Sequence, residues 1–248
     1  MATVPGCSMG DVAGWVAQAD RIAVLTGAGV SAESGVPTFR DAQTGYWAQF
    51  RPEDMASEAG FRAHPQRVWD WYQHRRDGLR AVEPNAGHRA LTDFGRRHPG
   101  RLTLITQNVD GLHQRAGSEE VLCLHGDLFA DRWLEPPRPC CRRDTPEPGR
   151  PPRCGQCGNR VRPGVVWFGE ALPTDVWAAA QAAAQRCQLM LVVGTAGAVY
   201  PAAGLAHAAR DAGARVVVLN PAESALDAGA HAVLRATAAQ ALPRILAA

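Results

Sequence analysis

The chain has 248 residues, of which 46% are hydrophobic, and a formal net charge of +2 at pH 7. This balance is typical of one large globular domain, or of one domain with insertions. It lacks the basic excess that a nucleic-acid-binding protein carries. All 26 basic residues are arginine. Because lysine is absent, Schiff-base catalysis and the lysine-dependent phosphate loop of nucleoside triphosphatases are excluded.

Targeting signals are not evident in the sequence. No apolar run is long enough to span a bilayer, and the first residues, MATVPGCSMGDVAG, lack the charged-then-apolar layout of a signal peptide. The seven cysteines are an odd number, which indicates thiols or metal ligands rather than a disulfide framework. We therefore expect a cytoplasmic monomer with no membrane partner and no nucleic-acid partner.

Short apolar runs alternate with helical patterns along most of the chain. After an amphipathic helix at 12–19, a helix is also predicted from about 84 to 97, and alanine-rich helices separate the later strands. Strands alternating with helices predict an α/β fold with a mainly parallel, Rossmann-like sheet. The predicted buried strands are Ile22–Thr26, Leu102–Thr106, 121–124, Leu189–Val193, Arg215–Leu219 and 232–235.

Two stretches interrupt this alternation. Residues 47–83 form an aromatic segment that is predicted to be helical over 55–82. Residues 128–163 are rich in Pro, Arg and Cys and too poor in apolar residues to bury much core, so this segment needs an external staple. We predict that the two stretches form the helical and the cysteine-containing modules of a smaller inserted lobe. The sheet domain is then discontinuous and comprises residues 1–46, 84–127 and 164–248.

Residues suited to binding a nucleotide follow five of the predicted strands. Ligands of open parallel sheets bind beyond the carboxyl ends of the strands, so a nucleotide-like ligand lying across the sheet is the economical explanation. In strand order, the residues are Gly27, then Gln107, Asn108 and Asp110, then His125 and Gly126, then Gly194 and Thr195, and finally Asn220.

The glycine-rich loop after the first strand has the sequence GAGVSAESGVPTFR. It suits a pyrophosphate, because glycines let the backbone approach closely and the N–H groups at a helix start favour negative charge. A tight turn that binds no ligand would fit the loop alone equally well. The loop is not the G-x-G-x-x-G fingerprint, and no acidic residue follows on a nearby second strand to hold a ribose. Hydride transfer and phosphoryl transfer are therefore disfavoured.

Five motifs in series, GAGVSAESGVPTFR, TQNVDGLH, LHGDL, VVWFGE and GTAGAVYPAA, resemble those of the sirtuin family of NAD-dependent protein deacylases. The resemblance covers nearly the whole chain. It implies NAD as co-substrate and acyl-lysine proteins as partners. The implied reaction releases nicotinamide and passes the acyl group to ADP-ribose, which gives O-acyl-ADP-ribose.

The resemblance also implies roles for the strand-end residues. His125 would be the general base, for which a free imidazole pKa near ~6.5 is suitable. Asn108 would position the nicotinamide ribose, and Asp110 would hold the carboxamide. We interpret His88 and His113 as structural hydrogen-bonding residues instead. The other residues implied at the NAD site are Gly27, Ala28, Gly29, Ser31, Ala32, Pro37, Thr38, Phe39, Arg40, Gln107, Gly194, Thr195, Ala196, Asn220 and Ala238.

Tyr72 and Arg75 stand at positions i and i+3 and so share a face of a predicted helix. By itself the pair fits a packed aromatic next to a solvent-facing arginine. Its place in the chain resembles the sirtuin branch that removes succinyl and malonyl groups, in which the pair holds the distal carboxylate. Guanidinium suits this role because it binds carboxylate through two parallel hydrogen bonds. We expect activity on acidic acyl groups beside deacetylation, with the small Ala42 leaving room for the longer chain.

The resemblance further implies that the substrate peptide binds as an added strand between two segments of this chain. The residues concerned are Val166, Phe168 and Gly169 in the first segment and Val199 in the second. The alternative for the first segment is a buried sheet strand that contacts no substrate.

Cys154 and Cys157 form a C-x-x-C pair that is typical of a zinc knuckle. The first pair usual in the family is missing, and the nearest substitutes are the adjacent Cys140 and Cys141. Adjacent side chains tend to point apart, which makes an awkward chelate. We nevertheless expect these four cysteines to hold a structural zinc ion, because so polar a segment has little else to fold around. Loss of the metal is the alternative.

Two other functions stay open. One is NAD-dependent mono-ADP-ribosyl transfer to proteins. The other is a non-catalytic binding module whose zinc lobe contacts nucleic acid. The near-neutral charge and the presence of Asn108, Asp110 and His125 favour the deacylase.

Overall fold

The computed structural model describes residues 7–37, 49–143 and 145–247. Four residues that we expect at the cofactor and acyl sites, Thr38, Phe39, Arg40 and Ala42, lie outside the described residues.

Eight strands are present in the described parts of the chain. The strands are β1 (Ile22–Thr26), β2 (Leu102–Thr106), β3 (Val121–Cys123), β4 (Gly126–Trp133), β5 (Val161–Val165), β6 (Leu189–Val193), β7 (Arg215–Leu219) and β8 (Ala232–Leu234). Six of them form one sheet in the order β3-β2-β1-β6-β7-β8, and every neighbouring pair in it is parallel. The predicted Rossmann-like sheet is confirmed, and β3 and β8 each end one residue earlier than predicted.

Strand β1 lies at the centre of the sheet, and all five of its residues are buried. Val24 packs into the core on one face, and Leu25 packs into the core on the other. Burial on both faces explains why this strand is a continuous apolar run. The chain leaves β1 to form β2 on one side and later forms β6 on the other side. The carboxyl ends of β1 and β6 therefore flank a topological switch point, where open α/β sheets bind ligands.

Ten helices are found in the described residues. They are α1 (Met9–Gln18), α2 (Pro52–Met55), α3 (Glu58–Ala63), α4 (Pro65–Arg80), α5 (Ala86–Arg97), α6 (Leu112–Arg115), α7 (Pro139–Arg143), α8 (Thr174–Arg186), α9 (Gly204–Asp211) and α10 (Ala238–Ile245). Helices α1, α5 and α10 cover one face of the sheet, and α8 and α9 cover the other. None of these helices combines the length and apolarity that crossing a bilayer requires.

The helical character predicted for 55–82 is confirmed, and the structure divides this stretch: α2 ends at its first residue, and α3 and α4 follow. The Ser57 side chain accepts a hydrogen bond from the Gly60 amide and so begins α3. Pro65 then stands in the first turn of α4. Proline cannot donate a backbone hydrogen bond, so α3 cannot continue through it.

Strands β4 and β5 form a separate antiparallel pair. The sequence does not predict β4, since most of its residues are exposed and no apolar alternation marks it. Arg76 of α4 holds this strand through its guanidinium, which donates to the backbone oxygens of Leu128 (2.6 Å) and Ala130 (2.9 Å). Leu128 and Val165 lie in one apolar core with the side chains of the α2–α4 region. The domain boundaries given above remain a prediction.

Candidate active site

Three glycines bring the ends of β1 and β6 into backbone contact. The Gly27 amide donates to Val193 O at 3.0 Å, and the Gly29 amide donates to Gly194 O at 2.7 Å. A Cβ atom on Gly29 would lie 2.7 Å from Gly194 Cα, and one on Gly194, which has φ +63°, would lie 2.6 Å from Gly29 C. Any side chain here would push the two strand ends apart. Because these two amides already donate to backbone oxygens of the protein, they are not available to bind a ligand. The glycines can still favour ligand binding by allowing the ligand to approach the backbone closely.

The buried hydroxyl of Ser31 links this residue to two other predicted site residues, Asn108 and Asp110. Ser31 Oγ donates to Asp110 Oδ2 at 2.8 Å and accepts from Asn108 Nδ2 at 3.2 Å. Asn108 Nδ2 also donates to Gly27 O at 3.1 Å, and Asp110 Oδ1 accepts from the Leu112 amide at 2.9 Å. The loop after β2 and the loop after β1 are therefore joined by side-chain hydrogen bonds.

His88 extends the same network from the first turn of α5. Its Nδ1 accepts from the Asn85 amide (3.3 Å), so the ring proton is on Nε2, which donates to Ser31 Oγ (3.3 Å). Burial lowers the pKa of His88 to about 4, although the charge of Asp110 opposes this shift. His88 is thus a neutral hydrogen-bonding residue, as interpreted from the sequence, and it also contacts the predicted cofactor site.

His113 lies beneath the site, with its ring centroid 4.8 Å from that of His88. Its Nε2 is 3.0 Å from Thr26 Oγ1, which in turn donates to Thr106 Oγ1 at 2.8 Å. Burial, followed by the neighbouring His88, lowers the pKa of His113 to about 3. The interpretation of His113 as a structural hydrogen-bonding residue is confirmed.

His125 follows β3, and a hydrogen bond from its ring holds the side chain in one orientation. Its Nδ1–H group donates to Gln107 O at 2.9 Å, which leaves Nε2 as the acceptor nitrogen. Burial lowers the pKa of His125 below 6.5, while the bond to Gln107 acts in the opposite direction. The next residue, Gly126, has φ +81°, and a Cβ there would collide with Gly164 O. Glycine is therefore required immediately after the histidine.

The other half of the crevice is built from the ends of β6 and β7. Thr195 Oγ1 accepts from Gln107 Nε2 at 3.3 Å and from the Gly197 amide at 3.2 Å. The Asn220 side chain donates to Ala222 O at 2.9 Å. Ala238 is buried at the start of α10, while Ala196 is exposed.

Two residues that the sequence analysis missed fasten the loop after β1. Asn85, the N-cap of α5, also donates from Nδ2 to Val30 O at 2.8 Å and to Ser34 Oγ at 3.0 Å. Glu33 accepts from the Ala239 amide at 2.8 Å and so caps α10. A Pro-Asn sequence before a helix is a signal for Asn85 as a cap, but no local signal marks its second partner or the pairing of Glu33 with α10.

Tyr72 and Arg75 lie together on α4. Tyr72 is buried, and its hydroxyl accepts a hydrogen bond from Trp167 Nε1 at 3.0 Å. Burial raises the pKa of Tyr72 to about 12. The Arg75 guanidinium carbon lies 4.9 Å from the centroid of the Trp71 ring and 6.0 Å from that of Tyr72. Burial lowers the pKa of Arg75, while Tyr72 and Asp110 act in the opposite direction.

The segment after β5 crosses between the small lobe and the sheet. The Phe168 amide donates to Ala56 O at 2.9 Å, and the Val166 amide donates to His125 O at 2.8 Å. Phe168 is 52% exposed and Val199 is 46% exposed, so both offer apolar surface to a partner. The alternative of a buried sheet strand is therefore wrong for this segment.

The four cysteines of the small lobe come together. Their Sγ atoms all lie within 4.8 Å of one another, and Cys141 and Cys157 are 3.4 Å apart. Tetrahedral zinc with Zn–S bonds of about 2.3 Å requires S···S separations of about 3.8 Å, so the set fits this metal. The expectation that the adjacent pair point apart is wrong, because α7 turns consecutive side chains by only about 100°.

The thiols of the cluster differ in pKa. Burial, followed by the neighbouring cysteines, raises the pKa of Cys140 to about 12. The backbone amides of Cys157 and Gln156 lower the pKa of the Cys154 thiol to about 7, although desolvation acts against them. A thiol with such a pKa is readily converted to the thiolate that zinc binds. Cys7, Cys123 and Cys187 lie outside the cluster, as expected.

Comparison with known proteins identifies the family. The Sir2 family model matches residues 27–201. The NAD-dependent protein deacylase of Ralstonia nicotianae is 57% identical over 235 residues, which cover 94% of both chains. A Sir2 homolog solved in complex with NAD superposes with a TM-score of 0.86 at 38% identity, covering 96% of this chain and 92% of that one.

A Sir2 protein solved with a bound acetylated peptide superposes with a TM-score of 0.82 at 27% identity, covering 97% of this chain and 98% of that one. These matches cover the sheet, the small lobe and the crevice between β1 and β6. The chain belongs to the Sir2 family.

Proposed function

We propose that this chain is an NAD-dependent protein deacylase, which removes acyl groups from lysine side chains and forms nicotinamide and O-acyl-ADP-ribose. The observation that carries the proposal is the hydrogen-bonded set of Ser31, Asn108 and Asp110, at the same sheet edge as His125. The activity named for the Ralstonia relative and the NAD complex of the Sir2 homolog support it.

In this proposal separate residues of the chain bind the cofactor, orient it and accept a proton. NAD supplies a C1′–N bond whose cleavage gives an electrophile for the acyl oxygen. His125 Nε2 accepts a proton from a ribose hydroxyl, since Nδ1 is committed to Gln107 O. Asn108 orients the ribose, and Asp110 orients the carboxamide. The glycines at 27, 29 and 194 and the residues Thr195, Asn220 and Ala238 form the wall along the rest of the cofactor.

The role of His125 is tested by replacing it with Ala. Loss of a positioned general base costs roughly 10² to 10⁴ in rate, so kcat should fall by at least ~100-fold. The far-ultraviolet circular dichroism and the melting temperature should stay near those of the wild type. Because burial lowers the His125 pKa, the acid limb of kcat/KM should lie below pH 6.5. Retention of most of the activity in the Ala variant would remove His125 from the mechanism.

The acyl specificity is a separate proposal. We propose that Arg75 and Tyr72, which lie together on α4, bind the distal carboxylate of a succinyl or malonyl group. Burial of the Arg75 guanidinium supports this, because desolvation strengthens a pair with such an anion. The experiment compares succinyl-lysine and acetyl-lysine peptides on the wild type and on Arg75→Met. Selective loss of succinyl turnover supports the clamp. An equal loss on both peptides, or a wild type without succinyl turnover, refutes it.

Mono-ADP-ribosyl transfer is distinguished from deacylation by the products. Mass spectrometry of the NAD-dependent reaction should detect O-acyl-ADP-ribose and the deacylated peptide. ADP-ribosylated protein with an intact acyl-lysine would favour the transferase instead.

The substrates proposed are acylated proteins, whose lysine-bearing segment pairs as a strand beside Val166, Phe168, Gly169 and Val199. The exposed Phe168 and Val199 side chains support this, as does the acetylated peptide bound by the Sir2 protein described above. We further propose a cytoplasmic monomer, which sedimentation and fractionation would test.

A further inference from the structure

The Trp167 side chain connects the peptide-binding segment to the acyl-binding pair, and it has no role in the proposals above. It is almost fully buried, and its indole N–H donates to Tyr72 Oη at 3.0 Å, across 95 residues of sequence. An indole N–H can only donate, whereas a phenol can donate one hydrogen bond and accept others. In this pair, therefore, Tyr72 is the acceptor, and its own O–H proton remains available for another group.

The protonation state of Tyr72 supports the same direction. Burial raises its pKa to about 12, so the hydroxyl keeps its proton at neutral pH. Among the described residues, Trp167 is the hydrogen-bond partner of the Tyr72 hydroxyl oxygen. The phenol is thus arranged as a donor, which is what an acidic acyl group requires, because a carboxylate can only accept.

The indole itself is held from several sides. The Arg162 guanidinium carbon lies 3.2 Å from the centroid of the Trp167 ring, and the Phe61 ring centroid is 5.2 Å away. Glu170 Oε2 accepts from the Trp167 amide at 2.8 Å, and the same carboxylate pairs with Arg162. The N–H vector is therefore fixed by packing and by charge before any substrate binds, as a preorganised site requires.

We propose that Trp167 is a specificity-determining residue, which acts by positioning Tyr72 as a hydrogen-bond donor to the distal carboxylate of an acidic acyl group. This inference rests on the acidic-acyl specificity proposed above. Trp167 does not touch the reacting atoms, and it acts through Tyr72. An acetyl group has no distal carboxylate, so its turnover should be insensitive to the indole N–H.

The test is a double-mutant cycle of Trp167→Phe and Tyr72→Phe, assayed with succinyl-lysine and acetyl-lysine peptides at saturating NAD. Phenylalanine keeps an aromatic ring between Phe61 and Arg162 but removes the N–H donor. Loss of one hydrogen bond corresponds to roughly a 5-fold change. We expect Trp167→Phe to raise the KM for the succinyl peptide about 5-fold. The kcat on both peptides and the KM for the acetyl peptide should stay within about 2-fold. In the Tyr72→Phe background the same change should have no further selective effect.

Two controls separate this role from simple packing. Phe61→Leu loosens the contact on the same indole without removing the hydrogen bond, so it should lower the melting temperature and leave the succinyl-to-acetyl ratio unchanged. If Trp167→Phe does not fold, 3-benzothienylalanine at position 167, which replaces the N–H by sulfur at nearly constant shape, takes its place in the cycle.

Each outcome decides between the proposals. Equal loss on both peptides, or a selective loss that persists in the Tyr72→Phe background, overturns the role of Trp167. If Arg75→Met and Tyr72→Phe act selectively on the succinyl peptide while Trp167→Phe does not, only this inference fails. If none of the three changes is selective, the acidic-acyl specificity fails with it.

Discussion

The crevice at the end of the sheet and the small lobe above it are stabilised in different ways. In the crevice, β1 is buried along its whole length and its glycines pack backbone against backbone on β6. In the lobe, most residues of β4 are exposed. Charged pairs such as Arg62–Glu135 and Arg150–Asp70 connect different segments of the lobe, and the four-cysteine cluster does the same. Close backbone packing fixes the first region, whereas in the second region charged pairs and cysteine ligands supplement an apolar core.

This difference predicts separate sensitivities for the two regions. The crevice should tolerate changes of metal and salt but no added methyl group at its glycines. The lobe should tolerate small changes of shape but neither loss of zinc nor loss of a buried charge.

Removal of zinc should have the largest effect, and it should be confined to the lobe. Structural zinc contributes about 10 kcal/mol or more of apparent binding free energy in small domains. Wild-type protein should contain one zinc per chain, and Cys154→Ser should lose it. Trypsin should then cut within 134–160, after the arginines that do not precede proline (Arg142, Arg143, Arg153 and Arg160), while the parallel sheet stays resistant. Cys7→Ser, outside the cluster, is the control and should keep the metal. Wild-type protein without zinc, or a lobe that stays protected after zinc is removed, would contradict the prediction.

Gly194→Ala should have the next largest effect, on the crevice. The new Cβ would lie 2.6 Å from Gly29 C at a residue with φ +63°, so the ends of β1 and β6 must separate. We expect a loss of ~4 kcal/mol in unfolding free energy and of NAD binding. Gly213→Ala is the matched control, because Gly213 has φ +92° but nothing within 4 Å of its Cβ position. It should cost only ~1 kcal/mol, the conformational part alone. Chemical denaturation of both variants gives the comparison, and equal losses would show that packing at Gly194 is not critical.

Glu170→Gln should destabilise the lobe by ~3 kcal/mol, because it leaves the buried Arg162 charge without its carboxylate partner. Glu58→Gln is the control in the same lobe, since its pair with Arg62 is about half exposed on both sides. Exposed pairs contribute little, so this change should cost less than ~1 kcal/mol. Denaturation curves test both, and similar losses would argue that burial of the Arg162 pair does not matter.

Acid should affect the crevice before the lobe. Burial lowers the folded-state pKa of His88 to about 4 and that of His113 to about 3. Below about pH 6.5, therefore, these two residues are protonated in the unfolded chain but stay neutral in the folded one. Stability should fall as pH drops from 7 to 5.5, by ~2 kcal/mol for the two residues together. Burial acts to raise the pKa of Glu170, but its bonds to Arg162 and Trp167 lower it, so its contribution is lost only below about pH 4.3.

The His113→Gln variant, which can still contact Thr26, should show about half of this pH dependence. Melting temperatures across pH 5.5–7 measure it. An unchanged slope in the variant would exclude His113 as its source.

Much of the sheet could be predicted from the sequence because its strands are buried on both faces. A strand such as Ile22–Thr26 is then apolar at every position, and this leaves a local pattern that needs no knowledge of its neighbours. The residues that follow the strands share one edge in any parallel sheet, so the meeting of Asn108, Asp110 and His125 follows from connectivity alone.

Contacts between segments far apart in sequence were decided only by the tertiary structure. No periodic pattern in the sequence signals these contacts. They include the hydrogen bond from Trp167 to Tyr72, the hydrogen bonds from Arg76 to β4, and the approach of Cys140 and Cys141 to the Cys154–Cys157 pair. The glycine-rich loop after β1 illustrates both sides of this division. Its composition indicated a close approach of the backbone, but only the folded sheet determined that Gly27 and Gly29 use their amides to bind β6. Sequence patterns report what each residue needs, whereas long-range packing determines which partner meets that need.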